Sequence, residues 1–345
     1  MILISLPPSP PHNFHFYFHL RSLSFAALVV STAAGPCDIF GSSGTPCVAA
    51  HSVVRALYTG YQGPLYQVRR SSDNATYDIA TISRGGFANA AVQDAFCLAP
   101  ASCTINRIYD QSPMLNHLDT APPGGETPHP DRGVNASRYA LTVGGHSVYG
   151  AYFEGGQGYR IDFGKGIATG NDPETLYMIT SGSHFNNGCC FDYGNAETNN
   201  RDDGRASMES VYFGNATAWG RGAGSGPWIM ADLEDGLWAG NETVNPNAPS
   251  ITFEYVTAMV KGGSNGFAIK SGDATQGTLS KQYDGQRPNG YQPMKKQGSV
   301  ILGIGGDNSD SAHGTFFEGV MTQGYSTDAA DDAVQADIVA AGYGM

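Results

Sequence analysis

Basic residues are scarce in this chain, and those present are scattered. Lys and Arg total 19 against 31 Asp and Glu, a formal net charge of −12, with no basic cluster. That balance argues against nucleic acid and against anionic membrane surfaces as partners. Long hydrophobic runs are missing as well. The run Leu23–Val30 is too short to cross a bilayer, and no later stretch is long enough. Several enzyme signatures are absent: there is no P-loop, no G-x-S-x-G, no H-E-x-x-H, no C-x-x-C and no EF-hand spacing of Asp. Gly303-Ile304-Gly305-Gly306 has the outline of a dinucleotide turn, but the last glycine and the following helix are wanting. Nothing calls for a metal or an organic cofactor.

Cysteine is sparse but patterned. Cys37 and Cys47, Cys97 and Cys103, and the adjacent Cys189 and Cys190 fall into three short-range pairs. Such a set suits disulfides and an oxidising compartment. A bond between neighbours closes too small a ring to restrict the unfolded chain, so Cys189–Cys190 needs another use, as a stiff sulfur-faced plate lining a pocket. Two buried free thiols, or bonds to more distant cysteines, are the alternatives. The N-terminus agrees with export. Arg21 precedes the apolar run, and Thr32 and Ala34 fit the small-residue rule, which sets residues 1–34 as a leader and Gly35 as the mature start. Residues 1–20, with four prolines and three histidines, are an atypical extension. Sequons at Asn74, Asn135, Asn215 and Asn241 agree with a secretory route, so the protein is expected outside the cell.

Glycine (46) and tyrosine (18) are plentiful while only 14% of residues are charged, which suits a secreted all-β domain with long loops. Aromatic and β-branched residues run throughout, against disorder. Strands are expected at 65–69, 77–82, 105–110, 147–153, 175–181, 207–212, 228–233, 251–260, 267–270, 299–304 and 314–325, bounded by Gly and Asn. Without alternating helices, these point to a sandwich. Helices are expected over 48–58, after Thr45-Pro46, and over 327–341, where Val334, Ile338 and Ala341 share a face. His51 lacks a second ligand at metal spacing and reads as structural. No linker or repeat divides residues 35–345, so they read as one domain.

Carboxylates beside aromatics offer chemistry. In Trp228-Ile229-Met230-Ala231-Asp232-Leu233-Glu234, a strand would put Asp232 and Glu234 on one face, where like charges repel and one pKa tends to rise. An ordinary solvent-facing strand edge is the plainer reading. Trp219 and Trp228 lie upstream among glycines, as in sugar sites where rings stack on apolar sugar faces. Asp307 follows an apolar run and two glycines, a carboxylate thrust out at a sheet edge, or else the residue of an Asx turn. Glycosidases need two carboxyl groups flanking the scissile bond.

At these residues the chain resembles a known family. Gly35-Pro36-Cys37-Asp38-Ile39, Tyr109-Asp110-Gln111-Ser112, Cys189-Cys190-Phe191-Asp192-Tyr193-Gly194-Asn195-Ala196-Glu197, Gly226-Pro227-Trp228-Ile229-Met230 and Leu302-Gly303-Ile304-Gly305-Gly306-Asp307-Asn308 resemble fungal α-L-arabinofuranosidases of type B, glycoside hydrolase family 54. The resemblance runs from Gly35 to about Ala341. It implies a concanavalin-like (jelly-roll) β-sandwich that cleaves with retention. Glu234 is implied as nucleophile and Asp307 as proton donor and base. Cys189, Cys190, Trp219, Asp232 and the Gly306 backbone are implied to surround the arabinose. It also supports disulfides Cys37–Cys47, Cys97–Cys103 and Cys189–Cys190.

Two departures stand out. The family usually has two asparagines after the nucleophile, where this chain has Asp235 and Gly236; an added carboxylate there is expected to raise the Glu234 pKa. The family also usually continues into an arabinose-binding β-trefoil, which this chain, ending at Met345, is expected to lack. The resulting expectation is a monomeric, secreted, exo-acting hydrolase of terminal α-L-arabinofuranosyl groups on arabinoxylan or arabinan. A lectin-like sandwich that binds sugar without cleaving it is the main rival. A secreted adhesive glycoprotein is another, favoured if Glu234 and Asp307 lie far apart.

Overall fold

The computed structural model describes residues 34–345, together with residues 1, 2, 5, 7 and 8. The leader expected over 1–34 falls almost wholly outside the described residues. Two large sheets dominate the rest. One has eight strands, ordered Gln276–Gly285, Gly266–Asp273, Tyr255–Gly263, Glu174–Ser181, His313–Gln323, His146–Glu154 and Tyr139–Val143, with Cys47–Ser52 also paired to His313–Gln323. The other has ten, ordered Leu237–Trp238, Trp228–Asp232, Glu209–Gly214, Asp192–Ala196, Ser299–Leu302, Tyr159–Ile161, Leu118–Thr120, Cys103–Ile108, Pro64–Arg70 and Thr76–Ala80. Every strand pairing within these two sheets is antiparallel, as an all-β sandwich requires. All eleven expected strands are present, with ends moved by a few residues.

The sheets share one core. Leu176, Met178 and Val256 of the first belong to the same buried cluster as Tyr193, Val211 and Ala231 of the second. A charged clamp joins them. Lys296 Nζ lies 2.8 Å from Glu174 on one sheet and 2.9 Å from Glu209 on the other, and Arg287 binds Glu209 at 2.7 Å. Gly262 faces this clamp, and a Cβ there would meet the Glu209 carboxylate at 1.8 Å, so only glycine fits.

Residues 48–58 correct an expectation. Cys47–Ser52 is a strand buried at every position, and the helix of this region lies earlier, at Pro36–Ser42. A short apolar run such as Val48-Ala49-Ala50 carries no period of its own, and pairing with His313–Gln323 decides its form. His51 is structural: buried, it meets Tyr193 Oη at 2.9 Å and the Asn116 carbonyl at 2.8 Å. The C-terminal helix forms at Asp328–Ala341, capped by Thr327 Oγ1, which accepts from the Ala330 N–H at 3.2 Å. Val334, Ile338 and Ala341 are buried as their spacing predicts. Helix Ala90–Phe96 was not foreseen; Asn89 caps it. All three disulfides are formed.

Candidate active site

Period-two geometry divides the ten-stranded sheet into two chemistries. Tyr193, Val211, Ala231 and Val300 point into the sandwich core. Asp192, Tyr212, Met230, Asp232 and Ile301 alternate with them and face the other way, where loops roof the sheet. Under that roof is a cavity of about 350 Å³ lined by Cys189, Cys190, Trp219, Asp232, Glu234, Gly306 and Asp307. The structure thus brings all seven residues of the expected sugar site together.

Their local settings differ from the sequence expectation in two respects. The strand stops at Asp232, and Glu234 stands in the turn beyond it with φ +63°, followed by Asp235 at +54°. Left-handed non-glycine residues carry strain and concentrate at functional sites. The turn is tied back by the Glu234 N–H, which donates to Asp232 Oδ1 at 3.1 Å. Both acids are buried, with 6% and 7% of their surfaces exposed, so the solvent-facing reading is set aside. Asp307 is likewise not at a sheet edge, because strand Ser299–Leu302 lies in mid-sheet. It leaves the strand's end in an Asx turn, Oδ1 accepting from the Ser309 N–H at 3.0 Å, and still lines the cavity.

The disulfide wall is stitched to the same loop. The Cys190 N–H donates to the Ser309 carbonyl at 3.1 Å, and the Ser311 N–H to the Cys189 carbonyl at 3.1 Å. Trp219 is 39% exposed at the cavity, placed to stack on a ligand rather than to fill a core. Gly306 has its carbonyl bound by Arg160 Nη1 at 2.9 Å. A Cβ on Gly306 would lie 2.0 Å from Glu197 Oε2 and 3.2 Å from Glu234 Oε2, so any side chain there would displace these carboxyls.

Charge is concentrated here. Burial pushes the Glu234 carboxyl up, and the neighbouring Glu197, Asp232, Asp202 and Asp307 push it further. Asp235, expected to do this, is exposed at the rim of the same cavity and is not among these groups; its carbonyl accepts from Tyr291 Oη at 2.7 Å. Burial raises Asp232 and Glu197 too. It also raises Asp192, fully buried, whose two carboxyl oxygens have no donor among the described residues, and the neighbouring Asp232 raises it further. Sequence reasoning assigned no role to Asp192, Glu197, Asp202, Glu126, Ser309 or Ser311. Asp192 was legible as the start of a strand beside the paired cysteines; the others depend on loop closure. Exposed Glu126 and Asp202 lie at the cavity lining. Two carboxyls on a furanose-sized cleft with apolar walls can perform acid and nucleophilic chemistry on a glycoside.

Known proteins carry the same architecture. An alpha-L-arabinofuranosidase B of Aspergillus oryzae is 53% identical over 331 residues, covering 94% of this chain and 65% of the relative. An alpha-L-arabinofuranosidase of Hypocrea jecorina is 54% identical over 321 residues, covering 91% of this chain and 64% of the relative. This chain therefore spans about two thirds of the length of the curated relatives it matches. An arabinofuranosidase crystallised with arabinofuranosyl-alpha-1,2-xylobiose superposes with TM-score 0.88 at 49% identity, over 90% of this chain and 66% of that one. With the family model "Alpha-L-arabinofuranosidase B, catalytic" matching residues 36–344, the chain belongs to that family.

Proposed function

We propose that the protein is a secreted, retaining α-L-arabinofuranosidase that removes terminal arabinofuranosyl groups from arabinoxylan, arabinan and their oligosaccharides. The observation that carries this reading is the joint opening of Glu234 and Asp307 onto one cavity walled by the Cys189–Cys190 plate and Trp219. The glycan-binding rival needs the aromatics and the wall but not two acids on one cleft. Family membership and the arabinofuranosyl-xylobiose bound by a relative give it further support. Exposed sequons at Asn74, Asn135 and Asn241, the half-buried one at Asn215, and the disulfides favour secretion.

In the first step Glu234 attacks the anomeric carbon while Asp307 donates its proton to the leaving oxygen, giving a glycosyl ester. Water then attacks the same carbon, Asp307 takes its proton, and Glu234 leaves as carboxylate. The sulfur plate and Trp219 exclude water from the apolar sugar faces, and Asp232 is placed to accept from a sugar hydroxyl. The protein should release p-nitrophenol from its α-L-arabinofuranoside. With methanol as acceptor it should form methyl α-L-arabinofuranoside. No release would leave the binding-only reading, and a β-methyl product would exclude the ester.

A further inference from the structure

The mechanism leaves the buried acid Glu197 unused. Glu197 follows strand Asp192–Ala196 and is wholly buried. Its Oε1 accepts from the Ser207 hydroxyl. Its Oε2 has no donor among the described residues. That oxygen faces Glu234: both Glu197 Oε2 and Glu234 Oε2 crowd the point where a Gly306 Cβ would sit, at 2.0 and 3.2 Å. The backbone around the pair is rigid. Arg160, itself buried, donates from Nη2 to the Glu197 carbonyl at 2.6 Å, from Nη1 to the Gly306 carbonyl at 2.9 Å, and from Nε to Asp162 at 2.7 Å.

Two acceptor oxygens facing each other out of water are unfavourable if both carboxyls are ionised, and one proton between them removes the conflict. Yet a nucleophile must be ionised to attack. Resting on the glycosidase reading above, we propose that Glu197 is a positioning residue that holds this shared proton while Glu234 ionises, and so aims the attacking Glu234 oxygen. The proton stays on Glu197 throughout. Asp307 alone exchanges a proton with the leaving group and with water, and Glu234 returns to its acceptor role when the ester breaks. Burial and the nearby Asp203 raise the Glu197 carboxyl, opposed by the Ser207 hydroxyl and by Glu234, while Glu197 in turn raises Glu234. Asp232, Asp202 and Asp307 act on Glu234 in the same sense as Glu197 does.

Two substitutions separate this role from packing. Glu197→Gln keeps a neutral N–H donor toward Glu234, whereas Glu197→Met keeps the volume without the donor. On p-nitrophenyl α-L-arabinofuranoside, Glu197→Gln should stay within about threefold of wild-type kcat, and Glu197→Met should lose about thirtyfold or more at similar KM. The acid limb of kcat/KM should move upward only in Glu197→Met, since a carboxylate that loses its donor binds protons more tightly. Equal losses in both variants, or an unmoved limb and full kcat in Glu197→Met, would overturn the proposal. Infrared difference spectra of the whole chain decide the shared proton independently of turnover. Protonated-carboxyl intensity at neutral pH should fall in Glu197→Gln, and unchanged intensity counts against it. A chain that hydrolyses no arabinofuranoside would instead remove the functional reading, with the infrared comparison still deciding whether the proton is shared.

Discussion

Gly306 shows how little room Glu197 and Glu234 leave beside the backbone. Gly306→Ala would put a methyl group 2.0 Å from Glu197 Oε2 and 3.2 Å from Glu234 Oε2, so the carboxyls must give way. Displacements of that size near reacting atoms cost about a hundredfold in rate. Because the clash is with the ends of two side chains and not with backbone, kcat/KM should fall by about that factor while the melting temperature stays within a few degrees. A variant with wild-type kcat/KM would mean that the loop relaxes freely. Glu234→Gln is the more direct probe, removing the nucleophilic oxygen from a turn that its backbone still supports. Turnover of the p-nitrophenyl glycoside should drop below about one per cent, since a nucleophile cannot be spared. Retention of more than a few per cent would take that role from Glu234.

At the scale of elements, the C-terminal helix is held by buried charge. Asp331, in its first turn, lies 2.6 Å from both Lys261 Nζ and Lys270 Nζ and also accepts from the Ser326 hydroxyl. Both lysines come from adjacent strands, Tyr255–Gly263 and Gly266–Asp273, and the Lys261 side chain is wholly buried. Asp328 also reaches Lys270 at 2.7 Å, but it is mostly exposed and counts for less. Asp331→Ala would leave an ammonium group buried without its main partner, a loss of roughly 3–5 kcal/mol. Denaturant unfolding should show that drop; a change under about 1 kcal/mol would show that Asp328 alone suffices. The cavity lies on the other sheet, so activity well below the transition should be little altered.

Across the whole molecule, four buried acids around the cavity make stability fall as pH rises, opposed by Glu209, which Lys296 and Arg287 hold low, and by His184, which burial lowers. Burial raises Asp192, Asp232, Glu197 and Glu234, so the folded chain retains protons that the unfolded chain releases. Their contribution is complete below the unfolded value of 3.8 for aspartate and declines as pH rises toward about 7, the value Asp232 reaches. The melting temperature should therefore fall between about pH 5 and pH 8. Asp192→Asn removes one of these protons and gives Asp232 an N–H donor in its place. It should flatten the decline and raise stability at pH 8 by about 1 kcal/mol or more, with little effect at pH 4. A decline as steep as that of the wild type would show that Asp192 is not the group responsible.

Local pattern was enough for much of this molecule. Turn-bounded β-rich segments marked eleven strands, helical spacing marked Asp328–Ala341, and paired cysteines marked the disulfides, because each signal lies within a few residues of chain. The motifs around Cys189, Trp228 and Gly306 pointed to the family and to its two acids. Other features were decided only in three dimensions. Cys47–Ser52 is a strand because His313–Gln323 offers it a ladder, although its apolar run suits a helix equally well. Glu234 left its strand for a left-handed turn, and Asp307 proved to lie off mid-sheet. The pairing of Asp192 with Asp232 and of Glu197 with Glu234 is invisible along the chain. Sharing a proton requires that two carboxyls be desolvated against each other, and desolvation belongs to the packed whole, not to any stretch of sequence.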